Sequence, residues 1–187
     1  MRPQLKLRRV RRRSEDLATG EWAALALVAE EPTHGFAIAR AMEPGGEVGR
    51  VWAMRRPLVY RTLDVLLGLE LIREAGTEPS AAGPRRTLLE ITPAGRERLE
   101  RWLATSVEHV RDARAELMLK LLFHHRAGTD PTPLLAAQRE RFAALAQELE
   151  AAVEDAEGFA RTLVQWRLET TRAAVRFVDA ALASPKH

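Results

Sequence analysis

The sequence predicts a mainly α chain with one small β-hairpin, and three observations carry that expectation. Apolar residues recur every three or four positions through most of its length, the spacing of an amphipathic helix. Two short runs, residues 71–75 and 86–91, are strand-like and flank a stretch rich in Gly, Pro, Ser and Ala. The last third shows helix spacing alone, broken near Gly128 and Pro131 and again at Gly158.

Residues 1–16 have no apolar period and read as a flexible basic arm. Helix spacing begins at Thr19, expected as the N-cap, with Trp22, Leu25, Ala26 and Ala29 on one stripe. Glu31-Pro32-Thr33 ends it, because proline disfavours helix in the residue before it. A short second helix is expected from His34 to Met42, closed by Pro44-Gly45-Gly46. Pro57 suits the first turn of a third helix that runs to about Leu69, since its missing N–H has no partner there in any case. The two strands follow, with Gly76 to Pro84 expected as the tip between them. Thr92-Pro93 starts a fourth helix that is expected to reach about Val110.

Beyond it, residues 113–125 form a fifth helical pattern. Leu135, Gln138, Phe142, Leu145, Leu149 and Ala152 make a heptad seam in the next. The last helix carries Val164, Leu168, Thr171, Val175, Val178 and Leu182 on one stripe and Leu163, Trp166, Thr170, Ala174 and Phe177 on its neighbour. A helix with two apolar stripes needs two neighbours. The order helix, helix, helix, strand, strand, helix is that of a winged helix-turn-helix. The expected organisation is thus an arm (1–16), a winged helix-turn-helix (17–110) and antiparallel C-terminal helices (111–187) that form a dimer interface through Val164, Leu168, Val175, Val178 and Leu182.

Composition narrows the function. Hydrophobic residues make up 46% of the chain, enough for a core. No apolar run reaches the roughly 20 residues that cross a bilayer, and no signal-peptide core stands near the start. The expectation is therefore a cytoplasmic protein without a membrane partner. The formal net charge is +3, unevenly spread: the first thirteen residues hold Arg2, Lys6, Arg8, Arg9, Arg11, Arg12 and Arg13 and no acid, so the remainder is net acidic. Cysteine is absent, which removes disulfides, thiolate ligands and a thiol nucleophile. Gly45, Gly46 and Gly49 lack phosphate-loop spacing, and no Gly-x-Ser-x-Gly elbow occurs. His124 and His125 are neighbours whose side chains diverge by about 100° on a helix. No enzyme activity, cofactor or metal is expected.

Double-stranded DNA is the expected partner. On the third helix Val59, Leu63 and Leu66 share the inner face, which leaves Pro57, Arg61 and Asp64 outward with Tyr60 at their flank. Arg55 and Arg56 stand at the helix start, the end that a helix-turn-helix brings nearest the base edges. Arginine there can take a guanine edge with two hydrogen bonds or hold a phosphate. Arg85 and Arg86 follow the wing tip, and the arm residues Arg8, Arg9, Arg11, Arg12 and Arg13 suit a groove or the backbone. The competing reading is a winged-helix protein-protein interaction module without DNA binding, favoured by Asp64, Glu70 and the acidic body.

The segment His34-Gly35-Phe36-Ala37-Ile38-Ala39, the run Leu58-Val59-Tyr60-Arg61-Thr62-Leu63 with Leu66, Leu71-Ile72 at the wing and Thr92-Pro93-Ala94-Gly95-Arg96 together resemble the PadR family of regulators over about residues 17–105. The sequence departs from that family at Glu70, where glycine is usual before the strand, at Leu89, where an aromatic is common, and at Arg55-Arg56, where small polar residues are usual. The resemblance implies a homodimer, a palindromic operator and repression of nearby genes. It also implies a small aromatic or hydrophobic effector, for which Trp102, Phe123 and Trp166 are the candidate residues, weighed against ordinary core packing.

Overall fold

The structure is a computed structural model that describes residues 17–80 and 83–183. It is mainly helical with one small antiparallel sheet, as the spacing predicts. The chain divides into two compact units, the first ending at Trp102 and the second beginning at Leu103.

In the first unit, helix α1 spans Thr19–Glu30. Its N-cap is Ala18, one residue earlier than expected, which has no side-chain acceptor to offer; Glu21 instead accepts the Ala18 N–H at 2.8 Å. A two-residue strand β1 (Thr33–His34) follows the Pro32 break, and α2 (Gly35–Ala41) follows at once. After a 3₁₀ turn at Val48–Arg50 comes α3 (Arg56–Gly68), with proline in its first turn. Strands β2 (Ile72–Ser80) and β3 (Gly83–Ile91) make the hairpin, and α4 (Pro93–Ala104) closes the unit. The sheet order is β1-β3-β2, antiparallel throughout.

The hairpin is longer than the sequence predicts. Residues 76–80 and 83–84, expected in the loop, are strand, with Thr77 opposite Thr87 and Glu78 opposite Arg86. Two register shifts, between Glu74 and Gly76 and between Glu78 and Ser80, absorb the glycine and proline that suggested a loop. Gly76 sits at φ 134°, a conformation that few residues other than glycine adopt.

The core of this unit holds Leu25 and Val28 of α1, Ile38 of α2, Val59, Leu63 and Leu66 of α3, and Leu71, Ile72 and Leu89 of the wing. α3 buries the face that the periodicity assigns, whereas α1 is buried at every position from 23 to 28, more than the one stripe expected of it. Burying each leucine or isoleucine contributes roughly 1.5–3 kcal/mol. α3 ends in a Schellman turn: the Leu71 N–H donates to Leu66 O and the Glu70 N–H to Leu67 O, each at 3.0 Å. Thr92 Oγ1 then donates to Glu70 O at 2.8 Å and accepts the Gly95 N–H at 3.0 Å, which seats the start of α4 against this turn. Gly95 is required there, since a Cβ would lie 2.0 Å from Leu71 O.

In the second unit α5 (Val110–Asp112) widens into a π turn over Ala113–Leu117 and continues as α6 (Met118–Ala127). α7 (Thr132–Asp155) and α8 (Gly158–Ala183) follow. The fourth helix stops at Ala104 rather than near Val110, because the next residues satisfy their backbone elsewhere. Gln138, fully buried, accepts the Val107 N–H at 2.7 Å and donates to Val107 O at 3.1 Å, while Lys120 Nζ donates to Thr105 O at 2.6 Å. Leu134, Leu135 and Phe142 of α7 pack with Leu117, Val107 and Val178, and Ala146 and Leu149 pack with Leu168.

Candidate nucleic-acid interface

The outer side of α3 presents Arg55, Arg56, Pro57, Leu58, Tyr60, Arg61 and Asp64, all exposed, while Val59, Thr62, Leu63 and Leu66 face inward. The alternation follows from the 3.6-residue repeat, so every predicted α3 candidate falls on the solvent face. Tyr60 is placed by a close approach: a Cβ on Gly35 would lie 2.7 Å from Tyr60 Cε1 and 3.2 Å from Leu63 Cδ1. Glycine at the start of α2 thus lets the Tyr60 ring lie against the domain with its other face outward.

Arg85 and Arg86 are brought to different places, because successive side chains on a strand point to opposite faces. Arg85 turns back on its own hairpin, donating through Nε to Thr77 Oγ1 at 2.9 Å and through Nη2 to Thr77 O at 3.3 Å. Arg86 reaches α2: its guanidinium lies 5.0 Å from the centre of the Phe36 ring. Arg56 lies over the same ring at 4.9 Å and pairs with Glu43 at 3.3 Å. Two predicted arginines, one from the helix and one from the wing, therefore meet at a phenylalanine that composition and charge did not single out.

His34 completes this cluster. It is the N-cap of α2, and its Nδ1 accepts the Ala37 N–H at 2.9 Å. The neutral ring then carries its proton on Nε2, which lies 3.0 Å from Glu78 Oε1. Arg86 Nη1 is 2.9 Å from the same nitrogen. In this tautomer that is a contact between two donors, beside the acid that faces Arg86 across the strand pair. The signal for His34 and Phe36 was present in the sequence as the His34-Gly35-Phe36 segment, but nothing local to it reveals a wing residue fifty positions away.

The arm arginines Arg8, Arg9, Arg11, Arg12 and Arg13 lie outside the described residues. Of the effector candidates, Trp102 is 7% exposed and stacks on Trp22 at 5.0 Å and 9°, and Phe123 is 4% exposed. Trp166 is 65% exposed and borders an open groove of about 720 Å³ within the second unit, which Val110, Leu145, Arg114, Arg141 and Arg167 also line. Among the residues expected in a dimer seam, Leu168 and Val178 are buried inside their own unit, and Val164, Val175 and Leu182 pack beside them. The neighbouring stripe is the open one, with Phe159, Leu163, Trp166 and Phe177 exposed.

Among the described residues no three His, Asp or Glu side chains are grouped to hold a metal ion. No helix there is long and apolar enough to cross a membrane.

Residues 24–101 match the transcriptional regulator PadR-like family. That stretch, somewhat under half of the chain, is what the chain shares with the family. The match runs from within α1 to within α4 and takes in α2, α3 and both wing strands, and the family is one of transcriptional regulators rather than enzymes. Among solved structures the chain is similar to the PadR of Bacillus subtilis in complex with operator DNA, at 22% identity over 87% of this chain and 97% of that one, with a TM-score of 0.44. It is similar to the smu.1604c protein of Streptococcus mutans at 15% identity over 88% and 99%, with a TM-score of 0.41. A PadR-like transcriptional regulator of Bacillus cereus follows at 19% identity over 87% and 95%, with a TM-score of 0.38. No curated protein matches the chain.

Proposed function

We propose that this PadR-like regulator binds duplex DNA as a homodimer on a palindromic operator and represses transcription from it. The observation that carries this reading is the exposed face of α3 inside the PadR-like match: Arg55, Arg56, Tyr60 and Arg61 are displayed together, with Arg86 of the wing beside Arg56 at Phe36. Guanidiniums so displayed serve both phosphate positioning and base readout. Arg85, bound to Thr77, is the weaker wing candidate. The basic arm adds phosphate contacts.

Dimerisation is assigned to the open stripe of α8. Phe159, Leu163, Trp166, Thr170, Ala173 and Phe177 repeat at four and three residues, a heptad seam left without a partner in its own unit. Trp166 also borders the groove, whose lining mixes Arg114, Arg141 and Arg167 with Glu108 and Glu148 around Val110 and Leu145, which suits an effector with an aromatic or apolar body. Sharing Trp166 gives such an effector a route to the dimer geometry and so to release of DNA.

The test is a gel-shift titration of the purified protein against DNA upstream of its own gene, with scrambled competitor and a salt series. A discrete shift that resists competitor and weakens steeply with salt is expected. Absence of any specific shift at low salt would transfer the winged helix to the protein-interaction reading.

A further inference from the structure

We propose that Phe36 and His34 are positioning residues for DNA recognition: together they form a mount that aims Arg56 of the recognition helix and Arg86 of the wing at the same stretch of duplex. The proposal rests on the DNA-binding reading and adds two residues to it.

Arg56 and Arg86 carry like charge on long, flexible side chains, and nothing in α3 or β3 alone would bring their guanidiniums together. Each arginine also loses rotamer freedom when it engages DNA, a cost that falls when the side chain is already ordered. The structure offsets both. Both guanidiniums lie over the Phe36 ring, Arg56 at 4.9 Å and Arg86 at 5.0 Å from its centroid, so the electron-rich π system attracts both cations. An acid stands behind each: Glu43 pairs with Arg56, and Glu78 lies opposite Arg86. Phe36 is 37% exposed, so part of its ring surface stays open beside the two arginines.

His34 fixes where the ring stands. By capping α2 through Nδ1 it sets the first turn that carries Phe36, and by reaching Glu78 through Nε2 it ties that turn to the wing. Its ring lies 6.2 Å from the Phe36 ring, tilted by 52°. β1 provides the backbone link, pairing His34 with Leu88 two residues from Arg86. The mount is thus built from three elements, and each arm of it ends in an arginine.

The tests separate the mount from the DNA reading. In the DNA-free protein, ring current from Phe36 shifts the Nε–Hε signals of Arg56 and Arg86 in the NMR spectrum. Phe36→Leu, which keeps an apolar side chain, abolishes both shifts, and Phe36→Tyr, which keeps the ring, retains them. His34→Asn preserves an N-cap acceptor but moves only the Arg86 signal. Signals of both arginines that stay in place in Phe36→Leu would overturn the mount whatever the protein binds.

On DNA, the lost pre-ordering of two arginine side chains predicts a loss of about five- to thirtyfold in affinity for the upstream duplex in Phe36→Leu. Restoration of affinity by Phe36→Tyr is expected. In the Arg56→Ala/Arg86→Ala background, Phe36→Leu is expected to have no further effect. Equal losses in both backgrounds would mean that Phe36 acts by itself and not through the arginines. A wild-type protein that binds no duplex would remove the DNA reading and leave the NMR result to decide the mount.

Discussion

Glu70 is the place where a single substitution should make this protein more stable. It occupies the C′ position of the Schellman turn that ends α3, with φ 56°, and it is the only residue other than glycine with positive φ among the described residues. The left-handed conformation costs an ordinary residue about 1–2 kcal/mol, and glycine almost nothing. Glycine in turn makes the unfolded chain more flexible, a loss of roughly 0.5–1 kcal/mol. The Glu70 side chain is exposed, so its removal costs little packing. Glu70→Gly should therefore stabilise by roughly 0.5–1 kcal/mol, a rise of about 1–4 °C in Tm for a chain of this size. Gly128 supplies the control, because it closes α6 with the same geometry at φ 62° and a Cβ there would meet nothing within 4 Å. Gly128→Ala should lose about what Glu70→Gly gains, since both act through the same backbone term. The assay is thermal unfolding followed by circular dichroism, with urea titration as a second measure. A Glu70→Gly variant that melts at or below wild type, or a neutral Gly128→Ala, would refute the strain argument.

Three further outcomes are expected. Arg61→Ala, on the exposed face of α3, should weaken binding to the upstream duplex about tenfold or more, the loss of one bidentate contact, with sedimentation unchanged; an unaltered Kd would remove this face from the readout. Trp166→Asp puts a carboxylate in the open stripe of α8 and should yield folded monomers by sedimentation, whereas Val178→Asp buries one in the core of the second unit and should unfold it; a dimeric Trp166→Asp protein would place the seam elsewhere. Lys120 is 1% exposed on its side chain, and burial lowers its ammonium below the ordinary 10.5 against the pull of Glu116 at 2.8 Å. The unfolded state then holds this proton more tightly, so stability should rise as pH climbs toward 10.5, and Lys120→Met should flatten the rise measured by urea unfolding.

Much of this was legible in the sequence, for an identifiable reason. Helix faces follow a local repeat, so the burial of Val59, Leu63 and Leu66 and the exposure of Arg61 and Asp64 could be read from spacing alone. What could not be read depends on residues far apart in the chain. The fourth helix ends at Ala104 because Gln138 and Lys120 claim the backbone at Val107 and Thr105. The hairpin extends past Gly76 and Pro79 because register shifts accommodate them. The last helix shows the same limit. Its two stripes were both visible, yet only packing against α7 decides which is covered, and the stripe of Leu168 and Val178 is the covered one. Glu70 differs again: the missing glycine was visible, but the turn keeps its shape and absorbs the strain.

The acids around the proposed interface bear on how the protein would discriminate among sites. From residue 14 onward the chain is net acidic, so little of any affinity can come from a general positive field. Arg56 is engaged by Glu43, and Arg86 faces Glu78 across the hairpin. A phosphate alone must compete with those carboxylates, and it gains correspondingly little from replacing them. A base edge that accepts two hydrogen bonds in the right plane gains more, because the Phe36 ring already holds both guanidiniums near their working positions. Acids that look unfavourable at a DNA-binding surface thus lower non-specific binding more than specific binding. The proposed role of the arginine-rich arm is then to recover the affinity lost in the body, through phosphate contacts that read no sequence.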